Sequence, residues 1–258
     1  MTIANTDVTG TARTGDAAAR SPVEDEHAFW MERSRVVLSP VSAPSVLGLF
    51  GFSAATLIVS GDLAGWYGNT TSMIYFAPFC AIFGGVAQFL AGMWSYKARD
   101  TLATAMHGMW GSFWMAFGIL WLMKSAGGLA FPATAPTYFV GFGMWFVMLA
   151  ILTLIGAFAA IGRNVSLFTT LGLLAAGSAC LAASWLSGIH GWQVVGGWVL
   201  VASCGAAIYT ASALLFADTY GRTILPLGEF SKKKNIPGTK ILRPIEYPAG
   251  QAGVRMGQ

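Results

Sequence analysis

TYFVGFGMWFVMLAILTLIGAFAAI, residues 137–161, runs for twenty-five residues without an Asp, Glu, Lys, Arg or His. A helix of that length spans about 37 Å, enough to cross a hydrocarbon core of ~30 Å. Apolar and polar positions do not alternate along it, as they would in a strand of a closed transmembrane barrel. The segment reads as a membrane-spanning helix.

Five further apolar runs of similar length lie roughly at 45–65, 72–95, 102–123, 165–187 and 192–217. Of the 258 residues, 55% are hydrophobic and 10% charged. A soluble domain carries about 25% charged residues to clothe its surface. The mean hydropathy of +0.61 agrees. This composition excludes a disordered chain, a nucleic-acid-binding module and an ordinary soluble enzyme. Cys80, Cys180 and Cys204 all sit inside apolar runs with no CxxC spacing, so neither a disulfide framework nor a metal site is expected. The expected fold is an all-α integral membrane protein, a six-transmembrane-helix bundle. Residues 1–43 form an N-terminal tail, 44–218 the helical domain, and 219–258 a basic C-terminal tail.

The positions of Lys and Arg set the orientation. With the N-terminus inside, fourteen of the fifteen fall on the inner side, and Lys124 alone falls outside. Cytoplasmic loops carry this excess, so both termini are expected to face the cytoplasm of a cell inner membrane.

No ionisable carboxylate, Lys or Arg lies near the middle of a run; Asp62 and Asp218 sit at helix ends. Hydrolytic, phosphoryl-transfer and redox enzymes need a nucleophile beside a base, paired carboxylates or a cofactor site. None is present, so no catalytic residue, cofactor or metal is expected. Two polar groups at membrane depth stand out. Gln88, in register with Gly84 and Gly92, reads either as a pore-lining donor or as an interhelical hydrogen bond. His107 heads a stripe with Trp110, Trp114, Phe117 and Trp121, which reads either as helix packing or as a ligand-facing surface. In the first run, Leu49, Phe52, Thr56 and Val59 share one face, so a pore along it would be narrow and greasy, with the Thr56 hydroxyl as its polar point.

Three stretches taken together resemble the acetate uptake transporter family, the succinate–acetate permeases of bacteria and fungi. They are APSVLGLFGFSAATLIVSGDLAGWYG (43–68), FGGVAQFLAGMWSYKARDTLATAMHGMWGSFW (83–114) and GWVLVASCGAAIYTASALLFADTYGRTILPLGE (197–229). The resemblance implies a six-helix protomer in a homo-hexamer, each protomer passing acetate and related small carboxylates, in some members succinate. Members are described both as proton symporters and as anion channels. The family's apolar constriction uses a Phe, a Tyr and a Leu, which by motif fall on Phe52, Trp110 and Leu171. The family's N-terminal signature, Asn-Pro-Ala-Pro followed by Leu-Gly-Leu, survives here as Pro44, Leu47, Gly48 and Leu49, without the Asn and the second Pro. Trp in place of Tyr at 110 adds bulk and exchanges a phenol for an indole that donates but cannot accept. A carboxyl near the end of span six in some members is here Leu214.

An acetate-like anion, with a pKa of about 4, is charged at neutral pH and is strongly disfavoured at the bilayer centre. The donors expected to replace its water are Gln88, hydroxyls such as Thr56, free N–H groups at helix starts and the Trp110 indole, with His107 as a relay candidate. Two rival readings are transport of another small solute such as ammonia, and a structural or cofactor-holding membrane subunit. The partners expected are small carboxylates, the lipid bilayer and further copies of the chain, with no nucleic acid.

Overall fold

The computed structural model describes residues 41–68, 71–127 and 136–229, side chains 136–138 excepted, all within one compact unit, Pro40–Leu242. Among them every regular element is helical. We number the helices α1 (Pro44–Leu63), α2 (Ser72–Lys97), α3 (Thr101–Ser125), α4 (Pro136–Ile161), α5 (Val165–Ser187) and α6 (His190–Tyr220). The sequence windows fall on these six within a few residues at each end. The expected tails lie outside the described residues except for 41–43 and 219–229.

Local chemistry sets the boundaries. Pro44 opens α1, where its missing N–H costs nothing. The side chains of Asp100 and Asn164 accept the backbone N–H of Ala103 and Leu167 and so cap α3 and α5. Gly188 and Gly221, with φ of 72° and 63°, end α5 and α6 in the left-handed conformation that glycine adopts without strain. No breaker interrupts α6 between these stops, and it runs 31 residues.

Among the described residues, five helices are long and apolar enough to cross a membrane: α1, α2, α4, α5 and α6. Helix α3 has the length, at 25 residues. His107 and three Trp lower its apolarity, and it spends them inward: His107, Trp110 and Trp114 are all buried. The outside of the bundle is greasy. Phe79, Ile82 and Val86 of α2 and Ile151, Ile155 and Phe158 of α4 are exposed, an apolar girdle that a water-soluble protein would hide. This is a multi-pass membrane protein.

Close-contact registers show that neighbouring helices run antiparallel. Cβ atoms added to Gly92, Gly111 and Gly118 would strike Gly108, Phe89 and Ala81 across the α2–α3 seam. Ser203 donates to the Thr170 carbonyl at 2.8 Å and Ser166 meets Thr210 at 2.6 Å between α5 and α6. Gly197 of α6 abuts Ala64 at the end of α1, while Ser42 before α1 reaches Asp218 near the end of α6. The six helices thereby close a ring in which α1, α3 and α5 run in one direction. The closure between α3 and α4 is the thinnest.

Two features differ from a set of uniform spans. Helix α2 contains Pro78, and the next stretch, Cys80–Ala87, is π-helical before regular α geometry resumes at Gln88. A proline inside a helix removes one backbone donor and crowds the preceding turn, and a local widening of the helix accommodates both. The second feature is Gly221–Glu229, read from the sequence as the start of a tail. It folds back onto the bundle: the carbonyls of Leu227 and Gly228 accept the Ser166 and Val165 N–H groups that open α5, and Tyr209 donates to the Pro226 carbonyl at 2.7 Å. Free N–H groups at the start of α5 are therefore already taken.

Candidate functional site

Because α1, α3 and α5 are parallel, their inward stripes can be followed level by level. Helix α1 contributes Phe52, Thr56 and Val59, all buried. Helix α3 contributes Trp110, Phe113, Trp114 and Phe117, whose rings touch in sequence at centroid distances of 5.2 to 6.3 Å. Helix α5 contributes Leu171, Leu174, Ser178 and Leu181, spaced at helical intervals and likewise buried.

At the lowest of these levels Phe52 and Trp110 meet edge to face, with centroids 6.3 Å apart and planes at 65°. Leu171 belongs to the same buried apolar core, one turn before Leu174. Above Trp110, toward the end of the bundle where α1, α3 and α5 finish, lies a cavity of about 110 Å³. That is several times the ~10–15 Å³ needed to admit a water molecule. Trp110 forms its floor, and Thr56, Trp114, Phe146, Ser178 and Trp185 are among its walls. The aromatic stripe of α3 lines this recess from Trp110 to Trp121; His107 lies beyond the floor.

The walls are mostly apolar; the Ser60 hydroxyl among them donates to the Leu57 carbonyl at 3.3 Å, and three further polar atoms have no partner. Thr56 Oγ1, Trp114 Nε1 and Ser178 Oγ are buried and make no hydrogen bond. A buried donor without a partner costs on the order of 1–3 kcal/mol. The three belong to three different helices, and all three residues line the one cavity. Each can donate: two hydroxyls and an indole N–H.

The other candidate residues are placed as follows. The Trp110 indole N–H donates to Thr153 Oγ1 of α4 at 3.0 Å. It is therefore not the free donor expected from the sequence; the neighbouring Trp114 indole is. Gln88 is buried outside the recess, with its Cβ against Gly51 and its Oε1 unpartnered, so that oxygen makes no interhelical hydrogen bond. Gly84 and Gly92, in register with it, face Ala55 with Trp114, and Gly108, so this surface of α2 addresses the junction of α1 and α3. His107 is buried below Trp110 with its Nδ1 unpartnered, and its ring lies against Gly48, where any Cβ would come within 2.5 Å of it. The four residues of the N-terminal motif thus have different settings. Pro44 starts the helix, Gly48 makes room for His107, Leu49 enters the core, and Leu47 faces outward. At the far end of α1, Gly61 packs under Tyr67, whose hydroxyl donates to the Ile58 carbonyl. Burial, then Asp62 and Cys80, push the Tyr67 phenol up, so it keeps its proton and this bond at any physiological pH.

Residues 31–231 match the GPR1/FUN34/yaaH family. The chain belongs to that family. Its similarity to the succinate-acetate/proton symporter SatP of Escherichia coli K12 is 30% identity over 189 residues, covering 72% of this chain and 95% of SatP. A solved structure, the bacterial acetate channel SatP, superposes with a TM-score of 0.67 at 25% identity, covering 73% of this chain and all of the channel chain. The two descriptions assign SatP proton symport in one case and channel conduction in the other. As a GPR1/FUN34/yaaH protein, this chain carries two features that sequence reasoning missed. Ser178 is hidden in the small-residue run AAGSACLAAS (175–184), although its spacing of seven from Leu171 places it on the inward stripe. Thr153 is a lone hydroxyl 43 positions from its partner, and no local pattern announces that contact.

Proposed function

We propose that this protein passes acetate and related short monocarboxylates, with succinate as a larger relative, across a cell inner membrane. In this reading both termini face the cytoplasm, the copies assemble as a homo-hexamer, and each protomer holds its own passage. Phe52, Trp110 and Leu171 form the neck. The observation that carries the reading is the recess above Trp110, greasy on its walls with three unpartnered donors. A carboxylate takes its hydrogen bonds from Thr56, Trp114 and Ser178, while the methyl group rests on the aromatic rings. A small hydrated anion such as chloride finds too few donors there to replace its water. Under the proposed topology the recess opens toward the outer face. The SatP relatives favour transport over a cofactor-holding subunit.

Uptake of labelled acetate into proteoliposomes, competed by propionate, succinate and ammonium, tests the substrate class. Propionate is expected to compete most strongly and ammonium not at all; competition by ammonium alone would overturn the reading. Ser178→Ala is expected to raise the half-saturating acetate concentration about three- to tenfold, the worth of one hydrogen bond to a charged group. Trp114→Phe, which keeps a ring but loses the N–H, is expected to do the same. If neither variant changes acetate affinity, the recess is not where the carboxylate sits.

His107 is the relay candidate for proton coupling, as a buried imidazole below Trp110 whose Nδ1 has no partner. On that assignment His107→Gln removes the accumulation driven by an imposed proton gradient, corrected for protein-free liposomes, while downhill acetate flux persists. Unchanged accumulation would take His107 out of the mechanism and leave conduction passive.

A further inference from the structure

Helix α4 is apolar from Phe139 to Ile161 except for Thr153. That single hydroxyl is 0% exposed, although its neighbours Leu152 and Leu154 face outward at 39% and 46%. Its Oγ1 accepts the indole N–H of Trp110, itself 3% exposed, at 3.0 Å. The bond crosses the α3–α4 closure, the thinnest in the ring. Elsewhere along that closure the chain offers the Phe113–Phe146 ring pair, the Gly156–Met106 contact and an exposed Arg163–Asp100 ion pair at 3.2 Å. Of these only the Thr153 bond touches a residue of the neck.

We infer that Thr153 is a positioning residue for the neck: its hydroxyl holds the Trp110 indole across the passage, and selectivity depends on that bond. The inference rests on the reading of Phe52 and Trp110 as the neck. Because the N–H is turned toward α4, the indole presents hydrocarbon to the passage and carries its edge-to-face contact with Phe52. An indole has few rotamers, and one directed hydrogen bond selects among them. Without the acceptor, the buried N–H regains a partner only by turning the ring, and the turned ring either moves away from Phe52 or points a donor into the neck. Both changes admit hydrated anions. A tyrosine at position 110 could donate only from the tip of its ring and would place its hydroxyl elsewhere. Thr153 and Trp110 therefore work as a pair in this chain.

Thr153→Val keeps the shape and removes the acceptor; Thr153→Ser keeps the acceptor; Thr153→Ala breaks the bond a second way should the valine variant not yield monodisperse protein. Acetate and chloride fluxes would be measured in proteoliposomes. Thr153→Val is expected to lower acetate-over-chloride selectivity about three- to tenfold, the range one buried hydrogen bond supports, with Thr153→Ser close to the parent protein. In a Trp110→Phe background, Thr153→Val is expected to add nothing, because the donor is already gone. The inference is overturned if Thr153→Val matches the parent, if Thr153→Ser is as impaired as Thr153→Val, or if the valine effect persists in full in the Trp110→Phe background. Trp110→Ala separates this from failure of the neck itself. If Trp110→Ala shifts selectivity and Thr153→Val does not, the neck stands without its latch. If Trp110→Ala is silent, the neck reading falls.

Discussion

Trp110→Ala is expected to cut acetate-over-chloride selectivity at least about tenfold, equivalent to about 1.4 kcal/mol of discrimination, while total anion flux rises. The indole is in ring contact with Phe52 at 6.3 Å and Phe113 at 5.3 Å, and it floors the recess of about 110 Å³. Removing it is expected to open the recess toward His107, whose Nδ1 is unpartnered. In the proposed neck a chloride ion would have to shed water against hydrocarbon, because the Trp110 N–H is spent on Thr153. In the alanine variant the ion keeps part of its hydration shell. Trp110→Phe retains an apolar ring beside Phe52 and is expected to lose much less. Fluxes of both anions in proteoliposomes decide the matter: unchanged rate and selectivity in Trp110→Ala would remove Trp110 from the passage.

How far the chain announces this arrangement depends on the scale of the signal. Membrane helices declare themselves because twenty or so consecutive side chains must all tolerate lipid, and Asp100, Asn164, Gly188 and Gly221 mark the ends through local hydrogen bonds and backbone conformation. The inward stripe of α3 is visible for a similar reason, since aromatic residues recur at helical spacing from Trp110 to Trp121. The π-helical stretch Cys80–Ala87 is not visible: Pro78 warns of a disturbance, but the residues that follow it would equally suit an ordinary helix. Nor is the docking of Pro226–Gly228 on α5, which uses backbone carbonyls that every residue possesses. The donors of the site follow the same rule. Thr56 could be suspected from its place beside Phe52 on one helix face. Ser178 has only its spacing to distinguish it from its neighbours. Which indole is free, Trp110 or Trp114, turns on Thr153, a contact between distant helices that no local pattern encodes.

Gly92→Val is expected to abolish recovery of folded protein, the largest effect on stability anticipated for a single substitution here. A Cβ on Gly92 would sit 2.7 Å from the Gly108 nitrogen and 3.1 Å from its Cα. Both are backbone atoms of α3, so no side chain can swing aside, and the helices must separate. In lipid that separation is expensive, because helix association depends on close van der Waals approach between small residues. The seam has little slack elsewhere: a Cβ on Gly111 would lie 2.6 Å from the Phe89 nitrogen, and one on Gly118 would strike Ala81. Pushing α3 outward would also withdraw Trp110 from Phe52 and the Trp114 donor from the recess. Overpacking a core usually costs about 1–3 kcal/mol where side chains can adjust; contact with a backbone exceeds that range. Gly141 provides the contrast, since nothing lies within 4 Å of the position its Cβ would take. Gly141→Ala is expected to leave melting within a few degrees of the parent, with helix propensity in its favour by about 1 kcal/mol. Size-exclusion profiles of detergent-purified protein after graded heating compare the two. A monodisperse Gly92→Val protein melting like the parent would show that the α2–α3 seam is looser than its glycine contacts imply, and that the neck does not rely on it.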